Sequence, residues 1–298
     1  MPGGLISLKD FSPYQFSALL DLALEIKNKP ARYYRRLENQ AAGWVAGPEK
    51  SFPIEPSFQP AVAGLGGDYI PCPFPSPRYN SLFILKHLEK WVSCVLAGAF
   101  PHSQIMEWEG KLIIPVINTG SDTFNPCRAL ADLFTLKEFN LDLNSLRLAY
   151  IGGRTPVLNS LIQGLAKTGA HLHIACPKNL KPDENILDPA GKEGKETGFS
   201  LTVGHDPGEA ALDADVLYTD CGWQENASGT DAEKFRITSQ LVRNAGSRVI
   251  VLHGHSLAAG EEIERSVIEG FQSAVLKQWE NTLHIQKAIM VSLLKMKK

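Results

Sequence analysis

Apolar residues along this chain recur in two rhythms. Phe16, Leu19, Leu20, Ala23 and Leu24 form a stripe at helical spacing behind Ser12-Pro13, a cap followed by a first-turn proline, which predicts a helix over 5–29. The same spacing returns over 81–91, over 126–138 through Ala129, Leu130, Leu133, Phe134 and Leu136, over 157–169, and over 276–295. Between these lie short unbroken apolar runs, which predict buried strands: 93–99, LRLAYIGG at 146–153, HLHIACP at 171–177, ADVLYTD at 214–220 and SRVIVLHG at 247–254. Residues 43–77 are crowded with Pro and Gly, which argues against long regular elements there, and GKEGKETG at 191–198 reads as a solvated loop.

Strands that alternate with helices imply parallel sheets covered on both faces. The expected fold is α/β, with two doubly wound parallel-sheet domains joined by two helices. Residues 1–140, completed by a closing helix at 276–298, make the first domain, and 145–275 make a Rossmann-like second. In such sheets ligands sit beyond the carboxyl ends of the strands. That rule places Gly152, Gly153, Arg154, Asp220 and His253 on one rim. In the first domain, residues 115–136 run from a strand through Gly120-Ser121-Asp122 into a helix that opens at Asn125-Pro126-Cys127-Arg128. Four uncapped N–H groups at an exposed helix start make a natural anion site.

Composition narrows the classes. The chain has 298 residues, 44% hydrophobic and 21% charged, with a formal charge of −2, so it reads as globular, with no basic footprint for nucleic acid and no block suited to a membrane surface. MPGGLISLKD lacks the apolar core of a signal peptide, and no run is long enough to span a bilayer. Cys72, Cys94, Cys127, Cys176 and Cys221 are scattered and never spaced C-x-x-C, as expected of reduced thiols in a cytoplasmic protein without a zinc site. No cofactor is expected; Gly152-Gly153 is not G-x-G-x-x-G.

Several motifs in order carry a resemblance over nearly the whole chain: SLKDFSP near the start, GLGG at 64–67, the 115–136 block, DVLYTD at 215–220 and WENTLHIQKA at 279–288. Together they resemble the aspartate/ornithine carbamoyltransferase family, ornithine branch. In the family an H-P-C-Q helix opening and an S-T-R-T-R loop receive carbamoyl phosphate. Here the first reads Asn125-Pro126-Cys127-Arg128. The second, counted back from Leu65-Gly66-Gly67, reads Ser51-Phe52-Pro53-Ile54-Glu55, with both arginines replaced. A glutamate ~4 Å from a phosphate near the surface repels it by about 4 kcal/mol, roughly a thousandfold in affinity. A further family arginine aligns with Gly98, beside a retained His102. On the amino-acid side, the substrate-binding asparagine is Pro156, the ornithine-side cysteine is Gly254, and the closing helix carries Thr282 where the family has arginine.

The resemblance therefore implies a changed site on a kept scaffold. The anion-side candidates are Lys50, Ser51, Asn125 and Arg128; those on the amino-acid side are Arg154, Asp220, His253 and His255. Arg128 either compensates for a lost arginine or pairs with Glu55. Arg154 contacts an anion or sits in a solvated turn. Asp220 orients an amine or caps its own loop, while His253 and His255 are acid/base groups, metal ligands or structural hydrogen-bonding groups. The expected function is a carbamoyltransferase homologue without the standard activity, binding a small anion or amino acid as a binding or regulatory subunit. The alternatives are a working transferase with another acceptor or donor, and a structural partner of an active paralogue. A homotrimer is implied by the family alone.

Overall fold

The computed structural model describes residues 3–47, 57–73, 81–254 and 262–294. The chain divides into two compact units, Met1–Phe134 with Asn281–Lys298, and Thr135–Glu280. The expected α/β architecture is present: each unit holds one sheet, and every pairing between named strands is parallel.

The first unit orders its strands β2-β1-β3-β4, with β1 Ala41–Ala46, β2 Asp68–Pro73, β3 Cys94–Phe100 and β4 Val116–Ser121. Its helices are α1 Pro13–Asn28, α2 Phe58–Ala63, α3 Ser81–Leu88 and α4 His102–Lys111, and it includes most of α5 Pro126–Glu138. A capping box opens α1: Ser12 Oγ accepts from Gln15 N at 3.2 Å and Gln15 Oε1 from Ser12 N at 3.0 Å. The helix starts later than expected. Residues 5–12 are not its first turns; Leu5 extends the sheet, donating to Val116 O and accepting from Asn118 N. Under one face of the sheet Phe100 and Trp108 meet edge to face, ring centroids 4.7 Å apart, among Val45, Leu85, Val95 and Ile105. The strand β2 shows why a proline-rich stretch can still be sheet. It is the edge strand, where Pro71 and Pro73 need no N–H for a further neighbour.

The second unit orders its strands β7-β6-β5-β8-β9: β5 Arg147–Ile151, β6 His171–Ala175, β7 Ser200–Gly204, β8 Val216–Thr219 and β9 Ile250–His253. Its helices are α6 Pro156–Leu165, α7 Glu184–Thr197, α8 Pro207–Ala211, α9 Gly229–Lys234, α10 Ser239–Ala245, α11 Arg265–Ile268 and the start of α12 Val275–Leu293. The order reverses between β5 and β8, so the crevice beyond their carboxyl ends is this unit's natural ligand position. The 191–198 segment is helix rather than loop. It forms the last turns of α7, closed by Gly198 at φ +88°, and Lys167 reaches Glu193 at 2.7 Å. Leu187, Ala190 and Gly194 supply a buried side too short and too glycine-rich to stand out in the sequence.

One buried side chain fastens the beginning of α12 to the end of β9. Gln278 Oε1 accepts from His253 N at 3.0 Å, and its Nε2 donates to His253 O at 3.1 Å. Gln278→Ala strands both backbone groups away from water. It should lower stability by about 2–4 kcal/mol, since each orphaned group costs roughly 1–3 kcal/mol; urea unfolding monitored by circular dichroism checks this.

Candidate functional site

In the first unit, chemistry-bearing residues gather beyond the carboxyl ends of β3 and β4. Asn118, fully buried, donates through Nδ2 to Ile6 O at 2.9 Å and Phe124 O at 3.2 Å, and accepts from Gly120 N at 2.9 Å. Ser121 Oγ accepts from Phe124 N at 3.0 Å and lies 3.2 Å from His102 Nδ1. These bonds shape the turn that leads into α5. His102 packs edge-on to Phe124, and burial pushes its imidazole below the ordinary histidine range, so the neutral ring is favoured.

The opening of α5 departs from expectation. Its first turn is buried rather than exposed, and it is not uncapped: Asn125 Oδ1 accepts from Arg128 N at 3.1 Å. Arg128 does not project as a free cation. Its side chain is 2% exposed and its Nε lies 3.2 Å from Asp132 Oδ1, one turn along on a helix otherwise lined with buried apolar residues. Among the described residues Asp132 is its ion-pair partner, while the two readings held for Arg128, compensation or a pair with Glu55, turn on residues outside them. Lys50, Ser51, Pro53 and Glu55 lie outside the described residues. At Gly98 a Cβ would sit 2.6 Å from Thr119 Oγ1, so any larger residue there requires Thr119 to move.

In the second unit the crevice between β5 and β8 is filled from within. Gly152, at φ +142°, turns away from β5, and a Cβ on it would lie 2.6 Å from Trp223 Nε1. The indole of Trp223 is buried against this turn and its Nε1 has no hydrogen-bond partner. Tyr150 Oη donates to Gly153 O at 3.0 Å, and the Tyr150 and Tyr218 rings stack with centroids 5.7 Å apart. Burial, with the neighbouring Asp220, drives the Tyr150 phenol well above its ordinary range. Asp220 is buried and its Oδ1 accepts from Cys221 N at 2.9 Å. A Cβ on Gly254 would approach Asp220 Oδ1 to 2.2 Å, so the glycine and the aspartate fit together as a pair.

The remaining second-unit candidates separate. His253 is buried, with Nε2 2.8 Å from Glu262 Oε1, and Glu262 also accepts from Gln224. Arg154 is half-exposed, 3.4 Å from Asp183. His255 lies outside the described residues. Among the described residues no group of three or more His, Cys, Asp or Glu could hold a metal, and no helix is long and apolar enough to cross a membrane.

Two family models divide the chain as its two sheets do. The carbamoyl-phosphate-binding domain of aspartate/ornithine carbamoyltransferases matches residues 4–138, and the Asp/Orn-binding domain matches residues 144–293. The chain belongs to the aspartate/ornithine carbamoyltransferase family. Ornithine carbamoyltransferase of Anoxybacillus flavithermus is 32% identical over 97% of this chain and 96% of its own, and that of Methanoculleus marisnigri is 33% identical over 99% and 97%. Among solved structures, ornithine carbamoyltransferase from Gloeobacter violaceus superposes with a TM-score of 0.89 at 32% identity, covering 99% of each chain. The Pyrococcus furiosus enzyme gives 0.91 at 28%, covering 99% and 98%. Trp223 and Tyr150 pack at the Gly152-Gly153 turn and were not among the candidates read from the sequence. The adjacent Gly152-Gly153 was the available signal, because paired glycines at a strand end mark a close approach by something.

The Arg128–Asp132 pair can be tested as structure. Arg128→Met leaves Asp132 buried without that cation and should cost about 3–5 kcal/mol, whereas Arg128→Met with Asp132→Leu should recover more than half of the loss. Denaturant midpoints of the two variants, read against wild type, decide it.

Proposed function

We propose that this carbamoyltransferase-family protein keeps the ornithine carbamoyltransferase scaffold but does not transfer a carbamoyl group to ornithine or aspartate, and serves as a small-molecule-binding or regulatory subunit. The observation that carries the proposal is the state of Arg128. Carbamoyl phosphate must be held by cations that complement its charge. The sequence places Pro53 and Glu55 where the family has loop arginines and Gly98 where it has another. Arg128, the one cation added near the helix opening, is buried against Asp132, and the helix start is already capped by Asn125. An anion arriving there meets a helix start where one N–H is already taken by Asn125 and a guanidinium that already faces a carboxylate.

The amino-acid side supports the same reading. The family cysteine position is Gly254, packed so closely on Asp220 that a side chain would displace the carboxylate. Trp223 lies on the Gly152-Gly153 turn, and Pro156, at the first position of α6, cannot offer the amide side chain of the family motif. In this proposal the ligand is a small anion or amino acid that needs fewer charge-assisted contacts than carbamoyl phosphate, and the protein assembles as a homotrimer.

A second reading, an active transferase, is favoured by one observation: identity of about a third to enzymes named ornithine carbamoyltransferase extends over nearly the full length of both chains. The assay that separates the two is citrulline or carbamoyl-aspartate formation with saturating carbamoyl phosphate and either amino acid. The expected rate is background. Turnover at ordinary enzyme rates, on the order of 1 per second or faster, removes the first reading. Light scattering checks the trimer, and a monomer at micromolar concentration removes it.

A further inference from the structure

The formal charge of −2 hides a local concentration of positive charge. Between α1 and β1 the chain reads KNKPARYYRR, with Lys27, Lys29, Arg32, Arg35 and Arg36 around Tyr33 and Tyr34. This segment is not a loose tether. A turn of 3-10 helix spans Pro30–Arg32; Tyr33 N donates to Pro30 O at 3.0 Å, Arg36 N to Tyr33 O at 2.9 Å, and Glu38 N to Arg35 O at 3.2 Å. Leu37 is buried and its N–H is tied to Leu65 O at 2.9 Å. Successive turns closed by backbone bonds fix the main chain that carries the arginines before any ligand arrives, which reduces the ordering cost of binding.

A cavity of about 530 Å³ opens beside these turns, wholly within the first unit. Its charged wall is Arg32, Arg35 and Arg36, its rings are Tyr33 and Tyr34, and Leu22 and Val291 add apolar surface. Among the described residues no carboxylate lines it. Glu25, the nearest acid engaged with this wall, is bound to Arg32 and hydrogen-bonded to Tyr33. Arg35 lies over the Tyr34 ring, 5.2 Å from its centroid, and Tyr34 is half-exposed. Arg36 is the decisive residue. Its Nε is buried and has no hydrogen-bond partner. A guanidinium N–H withdrawn from water without an acceptor is costly, and it fits a site whose acceptor arrives with a ligand.

Three guanidinium groups against one carboxylate ask for an anion with several oxygens, and phosphate matches the planar guanidinium fork. The cavity has room for more than phosphate itself; small-molecule sites run from roughly 300 to 1,000 Å³. Tyrosine rings and two aliphatic side chains suit an organic group carried on that phosphate. We infer that this pocket binds a small phosphate ester, its phosphate on Arg36 with Arg32 or Arg35 and its organic part against Tyr34, Leu22 and Val291. None of its lining residues is among the candidates for the carbamoyl phosphate or amino-acid sites, and the inference does not depend on whether those are active.

Titration calorimetry of the full chain with ADP, inorganic pyrophosphate and adenosine tests the inference. ADP should bind, pyrophosphate more weakly, and adenosine not measurably. Arg36→Gln should weaken ADP by about tenfold or more, the loss expected of one charge-assisted bond, and Arg36→Lys, which keeps the charge but not the fork, should fall between. Tyr34→Ala should weaken ADP and leave pyrophosphate unchanged. Arg265→Gln, in the second unit, should change neither. Should Arg36→Gln fail to fold, Arg36→Lys and Tyr34→Ala still carry the test. Absence of ADP and pyrophosphate binding at millimolar concentration overturns the inference. So does ADP binding that the Arg36 substitutions leave untouched, or equal loss of ADP and pyrophosphate in Tyr34→Ala.

Discussion

A parallel sheet exposes its chemistry at only one kind of place. Crossover helices cover both faces, and each backbone edge is taken by a neighbour or limited to a short outer strand. What remains open is the row of loops beyond the carboxyl ends. In the second unit this row includes the reversal between β5 and β8, and there Gly152, Trp223, Tyr150 and Asp220 crowd together. In the first unit the corresponding rim carries His102, Ser121, Asn125 and the opening of α5. The carbamoyltransferase-type reading of this protein depends on what those few loops contain, because the strands beneath them carry apolar side chains that the covering layers require.

Within that frame the most consequential feature is a charge turned inward. A helix start ordinarily welcomes an anion through free N–H groups and its dipole. Here Asn125 occupies the first turn and Arg128 is matched to Asp132 within a nearly solvent-free helix. A cation near a rim and a cation available at that rim are different things.

The pocket beside α1 presents the opposite case. Its arginines outnumber the carboxylates that meet them, and among its described lining residues the buried donor without an acceptor belongs to Arg36. The total charge of the chain carries no trace of it, because 30 basic and 32 acidic residues nearly cancel. Electrostatic sites are set by local excess over a few ångströms, a distance below which screening by salt and distant charges has little effect.

Much of the fold was legible in the chain. The apolar runs of β5, β6, β8 and β9 and the stripes of α1, α5 and α12 announce themselves, because burial on both faces or along one helical side leaves a period that single residues cannot hide. The strands β1 and β2 did not, because Ala and Gly in the first and Pro in the second interrupt the apolar run, and their place in a sheet depends on a neighbouring strand. The last turns of α7 were hidden for a related reason, since only docking makes a glycine-rich segment helical. The candidate site divides along the same line. Order and residue type alone established the family resemblance and named Asn125, Arg128, Asp220 and His253. Only the tertiary structure decided that Arg128 meets Asp132, that His253 meets Glu262, and that Trp223 lies on Gly152. Periodicity is a local property of the chain, whereas the partner of a buried charge or ring is settled by which distant segments the packing brings within a few ångströms.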